Sequence, residues 1–272
     1  MMRSLWTAAS GMTAQQLNVD TISNNIANVN TTGYKQERLE FRSLLYQTME
    51  RASLDDSDDG KPVNLQVGHG VRPIASSRSF VNGSMERTEN PLDFYLQGDG
   101  FFVIETDDDT IRYTKDGSFK LSIVDDTSYL VTSEGYSVLN VDGDPISFDS
   151  DIKISQISVN AEGNLTYIDE DGEVQEMDMQ FDIVQFPNVQ GLEAIGNNLY
   201  KTTSASGEAI QESEGDINET SKIIPKYLEM SNVNIANEMI KLIIAQRAYE
   251  LNSKAVTTSD DMLQQANNLK RW

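Results

Sequence analysis

The 272-residue chain contains no cysteine, one histidine and roughly half as many basic residues (21 Lys and Arg) as acidic ones (43 Asp and Glu). Without cysteine there are no disulfides, thiolate nucleophiles, iron–sulfur clusters or Cys-ligated zinc. A single histidine, His69 in Val67-Gly68-His69-Gly70-Val71, cannot build a multi-histidine metal site or a catalytic triad, and its glycine neighbours suit a turn. The formal charge of −22 argues against a nucleic-acid partner, because phosphate contacts need Lys and Arg to displace counterions. No apolar run reaches the ~18 residues needed to cross a bilayer, so membrane insertion is not expected. The start, MMRSLWTAASGMTAQQ, lacks the continuous apolar stretch of a cleavable secretory signal.

The charge is unevenly placed. Residues 1–53 and 226–272 each carry a net charge of +1, whereas residues 54–225 hold ten bases and 34 acids, a net of −24. Near-neutral ends can pack closely against copies of themselves, while an acidic middle stays solvated.

Both ends show seven-residue periodicity. In the first, Leu5, Met12, Val19 and Ile26 recur every seven residues, with Ala8, Gln15, Ile22 and Val29 at the intervening spacing. This predicts an amphipathic helix with a coiled-coil-like seam, ending at the Asn-rich run Asn24, Asn25, Asn28, Asn30 and before Gly33. In the second, Leu228, Ile235, Leu242, Tyr249, Val256 and Leu263 keep an unbroken spacing of seven, widened by Met239, Ala245 and Ala266. Pro225 marks the upstream limit and Ser231, Asn232 or Asn234 is the candidate N-cap. A helix over 228–269 spans roughly 63 Å at ~1.5 Å per residue. Two readings of the seams stand: the terminal helices pair as an antiparallel hairpin, or they pack against other chains. Ile240, Ile243, Ile244 and Leu251 lie off the main stripe, so more than one face asks for burial, which favours partners from other copies.

Between about 76 and 222 short alternating apolar runs predict strands at 101–104, 119–123, 136–139, 157–159 and 179–186. Turn dipeptides separate them: Asp116-Gly117, Glu134-Gly135, Asp142-Gly143, Glu162-Gly163 and Asp171-Gly172. No helical pattern intervenes, so hairpins and meanders are expected rather than βαβ units. Residues 54–66 read as a polar loop or extended arm. The run Asp55-Asp56-Ser57-Asp58-Asp59-Gly60 resembles the start of an EF-hand loop, but Gln66 stands where a bidentate Glu is needed, and no apolar helices flank it. The fold class expected is therefore α+β, with long coiled-coil-like terminal helices enclosing a β-rich antiparallel middle. The domains are 1–40 plus 226–272 (helical assembly domain), 41–75 (arm or linker) and 76–225 (β-rich outer domain). No motif argues for an enzyme or a cofactor.

Two long motifs then add a specific resemblance. Ser23-Asn24-Asn25-Ile26-Ala27-Asn28-Val29-Asn30-Thr31-Thr32-Gly33-Tyr34-Lys35 resembles the N-terminal signature of the bacterial flagellar rod and hook proteins. Ser231-Asn232-Val233, Glu238-Met239, Ala245-Gln246-Arg247-Ala248-Tyr249-Glu250 and Asn252-Ser253-Lys254 resemble that family's C-terminal signature. Internal runs such as Gly98-Asp99-Gly100-Phe101-Phe102 and Gly191-Leu192-Glu193-Ala194-Ile195-Gly196-Asn197-Asn198-Leu199-Tyr200 are similar to it as well. Phe41 through Met49 and the segment up to Val67 are similar to an insertion that sets distal-rod members apart from the hook branch. The acidity of the middle departs from the pattern.

The resemblance implies a structural subunit of the flagellar basal body, outside the cytoplasmic membrane, exported by the flagellar type III apparatus without a cleaved signal. It implies a homo-oligomeric helical tube, with the terminal helices as inner layer and the β-rich middle as outer layer. That tube transmits torque and neighbours proximal-rod and hook-side subunits. Leu5, Met12, Val19, Ile22 and Ile26, with Ile235, Leu242, Tyr249, Val256 and Leu263, are then the expected assembly interface. Asn24, Asn25, Asn28, Gly33, Lys35, Gln246, Arg247 and Tyr249 carry the family motif, the first five as turn and capping residues. The alternatives are a proximal rod or hook subunit of the same family, or an acidic secreted β-domain enzyme or calcium-binding module on a helical stalk.

Overall fold

The structure, a computed structural model, describes residues 2–50, 64–107, 110–124, 127–149, 157–160, 162–168, 174–213 and 220–269. The Asp55–Gly60 run and the Asp171-Gly172 turn lie outside the described residues. The chain divides into two compact units: residues 1–27, 37–77 and 234–272, and residues 28–36 and 78–233. The fold class is as expected: among the described residues there are two α-helices, one at each end, and an antiparallel β-rich middle.

The first unit holds the helices α1 (Met2–Ala27) and α2 (Ile235–Leu269). α1 ends where the sequence turns to Asn, whose side chains compete with the helix for backbone groups. The start of α2 falls at one of the three candidate caps and corrects the expected span of 228–269. Asn234 caps it, its Oδ1 accepting from the Asn237 N–H at 3.1 Å, so the helix has 35 residues and spans about 52 Å. Leu228 keeps the seven-residue phase but lies in a strand of the other unit, Tyr227–Glu229, paired antiparallel with Met85–Arg87. Also in the first unit, Glu37–Ser43 pairs with Val71–Arg78, and Tyr46–Glu50 pairs antiparallel with Leu65–Gly68.

In the second unit, ten strands form the main sheet. Residues 157–159, 164–168 and 174–180 form a separate three-stranded sheet. The run read as one strand over 179–186 is two, Val174–Gln180 and Ile183–Gln185, interrupted at Phe181-Asp182. The strand Phe101–Thr106 is apolar at four successive positions because both its faces are covered. Phe102 and Ile104 enter one core cluster with Leu96, Phe119, Leu130 and Phe181. Phe101 and Val103 enter a second with Tyr113, Phe186 and Tyr200. Alternation along the strand sends the two pairs to opposite sides. Edge-to-face rings, such as Phe102 and Phe119 at 5.2 Å and 83°, fix the packing. Glycine closes the turns where φ is positive, at Gly135, Gly143 and Gly163.

Candidate assembly site

In the first unit α1 and α2 run antiparallel in one register. Ser4 Oγ lies 3.2 Å from Ser259 Oγ. A Cβ added to Gly11 would stand 2.8 Å from Asn252 Nδ2. Asn25 Nδ2 donates to Glu238 Oε2 at 3.2 Å, in a site closed to solvent. Each step of seven residues up α1 is matched by seven down α2. What the hairpin buries is small or polar: Ala8, Ala14, Ile22 and Asn25 on α1, and Glu238, Ala245 and Ser259 on α2. Small residues allow close approach of the helix backbones. Glu238 is fully enclosed because both its oxygens are used, the second by Lys241 Nζ at 2.6 Å.

The residues singled out in the sequence occupy this hairpin unequally. Ile22 is buried in it, while Leu5, Met12, Val19 and Ile26 are half-buried along its flank. Leu242, Val256 and Leu263 are half-buried, and Ile235 and Tyr249 are exposed. Gln246 is exposed, and Arg247 pairs with Glu250 at 2.7 Å in open solvent, where such a pair contributes little. On α2, Ile240, Ile243, Ile244 and Leu251 remain 54–67% exposed. Trp6 of α1 is 75% exposed. Large apolar side chains left this open on one side of a helix mark an interaction surface.

The rest of the N-terminal motif belongs to the second unit, where residues 28–36 thread among several β segments. Asn28 Oδ1 accepts from Thr31 Oγ1, closing the turn. The Thr32 carbonyl accepts from Asn198 Nδ2 at 2.7 Å, and Thr32 Oγ1 donates to Asp116 Oδ2. Gly33, at φ +66°, donates its N–H to the Glu229 carbonyl at 2.8 Å. Lys35 Nζ ends against Glu229 Oε1 at 2.7 Å and also reaches the Val81 carbonyl. Burial lowers the Lys35 pKa, and Glu229 opposes that shift. The same Glu229 oxygen accepts from the Gly83 N–H at 2.6 Å. Asn232, one of the candidate caps, instead accepts from the Gln36 N–H and donates to the Ser79 and Val81 carbonyls. The two terminal signatures thus meet through Asn232, Glu229 and Lys35. Asn24 lies exposed near the end of α1, and Asn25 clamps the Glu37 backbone within the first unit, accepting from its N–H and donating to its C=O.

Sequence reasoning missed Glu229, and it read Glu238 only as part of the C-terminal signature, not as a buried group with a partner. Each is a lone acid in a terminal segment, and the pattern that would have flagged it, a carboxylate on the inward side of its element, needs the correct element boundaries. Lys115, also unflagged as a buried group, donates to the Gly98 carbonyl at 2.7 Å above the Phe101 ring, and its pKa is lowered to about 8 by burial. A cavity of about 540 Å³ in the second unit is lined by Glu162, Gln180, Glu212, Ser221 and Lys222. Ser221 Oγ there donates to Glu212 at 2.6 Å and accepts from the Gly100 N–H, an arrangement that ties two loops together. No described helix is long and apolar enough to cross a membrane.

Three family patterns match the chain. Residues 5–35 match "Flagella basal body rod protein", residues 95–175 "Flagellar hook protein FlgE/F/G D1 domain", and residues 224–269 "Flagellar basal body rod FlgEFG protein C-terminal". Over its full length the chain is 48% identical to the flagellar basal-body rod protein FlgG of Borreliella burgdorferi, covering all of both chains. It is 42% identical to FlgG of Caulobacter vibrioides, over 99% of this chain and all of the relative. It is 38% identical to FlgG of Bacillus subtilis, over all of both chains.

Proposed function

The chain belongs to the flagellar basal-body rod protein family and is a structural subunit of that rod, and we propose that its place is the distal rod, where copies join through their terminal helices into a torque-transmitting tube. In this reading residues 1–40 and 226–272 act as the assembly domain, 41–75 as an arm and 76–225 as the outer domain. Leu5, Met12, Val19, Ile22, Ile26, Ile235, Leu242, Tyr249, Val256 and Leu263 hold the helices together within and between copies. Proximal-rod and hook-side subunits are its neighbours, the flagellar export apparatus delivers it, and its work is mechanical rather than catalytic.

One observation carries the reading: the hairpin buries mainly small and polar side chains, Ala8, Ala14, Ala245, Ser259, Asn25 and Glu238, while leaving Ile240, Ile243, Ile244 and Leu251 largely open to water. Exposed isoleucine and leucine in this number contribute nothing to the isolated chain, and each contributes about 1.5–3 kcal/mol once fully buried. The near-neutral ends remove the charge barrier to that burial, and the acidic middle leaves a repulsion that salt screens.

The test is electron microscopy of the purified chain over a salt series, beside Leu242→Asp and Ile243→Asp. The unaltered chain is expected to form rods more readily as salt rises from low to moderate. Both variants are expected to form none, since each would bury an unpaired charge. Rods from either variant, or assembly that weakens steadily with salt, would contradict the proposal.

A further inference from the structure

The first unit carries a protruding aromatic near one end of its helical hairpin and an open cleft towards the other. Met2 and Trp6, one turn apart on α1, are 69% and 75% exposed. An indole left this open contributes little to the fold, yet tryptophan is among the side chains that most often anchor one protein in a pocket of another. The cleft lies between α1, α2 and the strand Glu37–Ser43, all within the first unit, and has a volume of about 330 Å³. That is the small end of the ~300–1,000 Å³ typical of ligand pockets, a scale that suits one large side chain. Ile22, Leu39, Phe41 and Ile244 supply its apolar lining, with Arg38 and Lys241 beside them. Such walls take an indole ring, and a guanidinium or ammonium over its face adds a cation–π attraction.

Trp6 cannot fill this cleft in its own chain. Ile22 stands 16 residues further along the same helix, roughly 24 Å at ~1.5 Å per residue. The Trp6 of a second copy has no such constraint, and each copy carries one such knob and one such cleft. Ile244 belongs both to the cleft and to the exposed set with Ile240, Ile243 and Leu251, so a neighbour seated in the cleft also begins to cover that set. Both surfaces carry charges of both signs: Arg3, Asp260 and Asp261 around the knob, and Glu37, Arg38, Glu238 and Lys241 around the cleft. No field of a single sign keeps them apart.

We propose that Trp6 of one copy seats in the cleft lined by Ile22, Leu39, Phe41 and Ile244 of the next. The inference rests on the reading that copies join through their terminal helices, and it gives that joint a direction. Knob and cleft are different patches, so the contact is head-to-tail. Each copy that seats its knob still offers its own cleft, and growth continues past two copies. A self-complementary contact would stop at two.

The test is sedimentation velocity on the full chain over a concentration series, with circular dichroism to check each variant's fold. Trp6→Ala removes the knob and leaves the cleft. Thr21→Phe fills the cleft from its half-buried lining and leaves the knob. The intact chain is expected to form species larger than two copies. Each variant alone is expected to need about 30-fold more protein to associate, the loss expected when an aromatic anchor is truncated. Mixed in equal amounts, the two variants are expected to form pairs and stop there, because only one knob and one open cleft meet. Trp6→Ala associating as readily as the intact chain overturns the proposal. So does a mixture that stays monomeric where the intact chain associates, or one that grows past pairs. In Trp272→Phe, where Trp6 is the only tryptophan, its fluorescence is expected to shift to the blue as copies associate. Unshifted emission overturns the proposal whatever Thr21→Phe does to the fold. Rods from Trp6→Ala that match those of the intact chain would overturn this inference alone, whereas an intact chain that never associates would overturn both it and the reading beneath it.

Discussion

Lys35 Nζ meets Glu229 Oε1 at 2.7 Å across 194 residues of chain, and neither side chain sees solvent. The lysine closes the N-terminal motif and the acid sits just before the C-terminal one, so the two signatures converge on a single buried ion pair. Removing one partner of such a pair strands a charge, whereas removing both can be nearly neutral.

Lys35→Met is therefore expected to cost about 3–5 kcal/mol in urea unfolding. Glu229→Gln is expected to cost less, because Gln can still accept from the Gly83 N–H. The double variant Lys35→Met with Glu229→Leu should recover part of the Lys35→Met loss. Additive losses in the double variant would show that the two groups are not coupled.

A second carboxylate gives a pH signature. Asp182 sits at the break between two strands, Oδ1 has no partner among the described residues, and burial raises its pKa from 3.8 to about 6. Because the folded state favours the protonated form, its carboxylate becomes a growing cost as pH rises from 3.8 through about 6. Asp182→Asn should raise the melting temperature near neutral pH and change it little below the ordinary carboxylate range. An equal effect at both pH values would remove this group as the cause.

Gly33 adopts a φ of +66°, and a Cβ there would lie 2.9 Å from the Asp116 backbone nitrogen. Gly33→Ala is expected to cost about 1–2 kcal/mol for the left-handed conformation alone, with the collision adding to it. Thermal melts of Gly33→Ala beside Gly135→Ala separate the terms, since Gly135 also has a positive φ but has nothing near its missing Cβ. Equal losses at the two sites would mean that the contact with Asp116 carries nothing.

How far the sequence led depended on whether a segment has one buried face. The terminal helices were legible because seven-residue spacing survives even in a hairpin that buries mainly alanine and serine. The central strand Phe101–Thr106 was legible because both faces are covered. Tyr46–Glu50 is exposed at every position, so it has no alternation to read, although it pairs as a strand. The start of α2 misled because Leu228 keeps the heptad phase by coincidence, and pairing with the 85–87 strand overrides it. Lys35–Glu229 and Asn25–Glu238 were illegible for another reason: a buried acid looks like a surface acid until its distant partner is known.

Hydrogen exchange resolved along the chain, compared between the dilute protein and assembled rods, tests the central claim most directly. The account predicts intermediate exchange across Met2–Ala27 and Ile235–Leu269 in the dilute chain, where the hairpin is formed but its outer face is open, slow exchange in the strands around Phe94–Ile104, and strong further slowing of both helices on assembly. Helices already as protected in the dilute chain as in the rod would contradict it, because their exposed isoleucines and leucine would then have gained no partner.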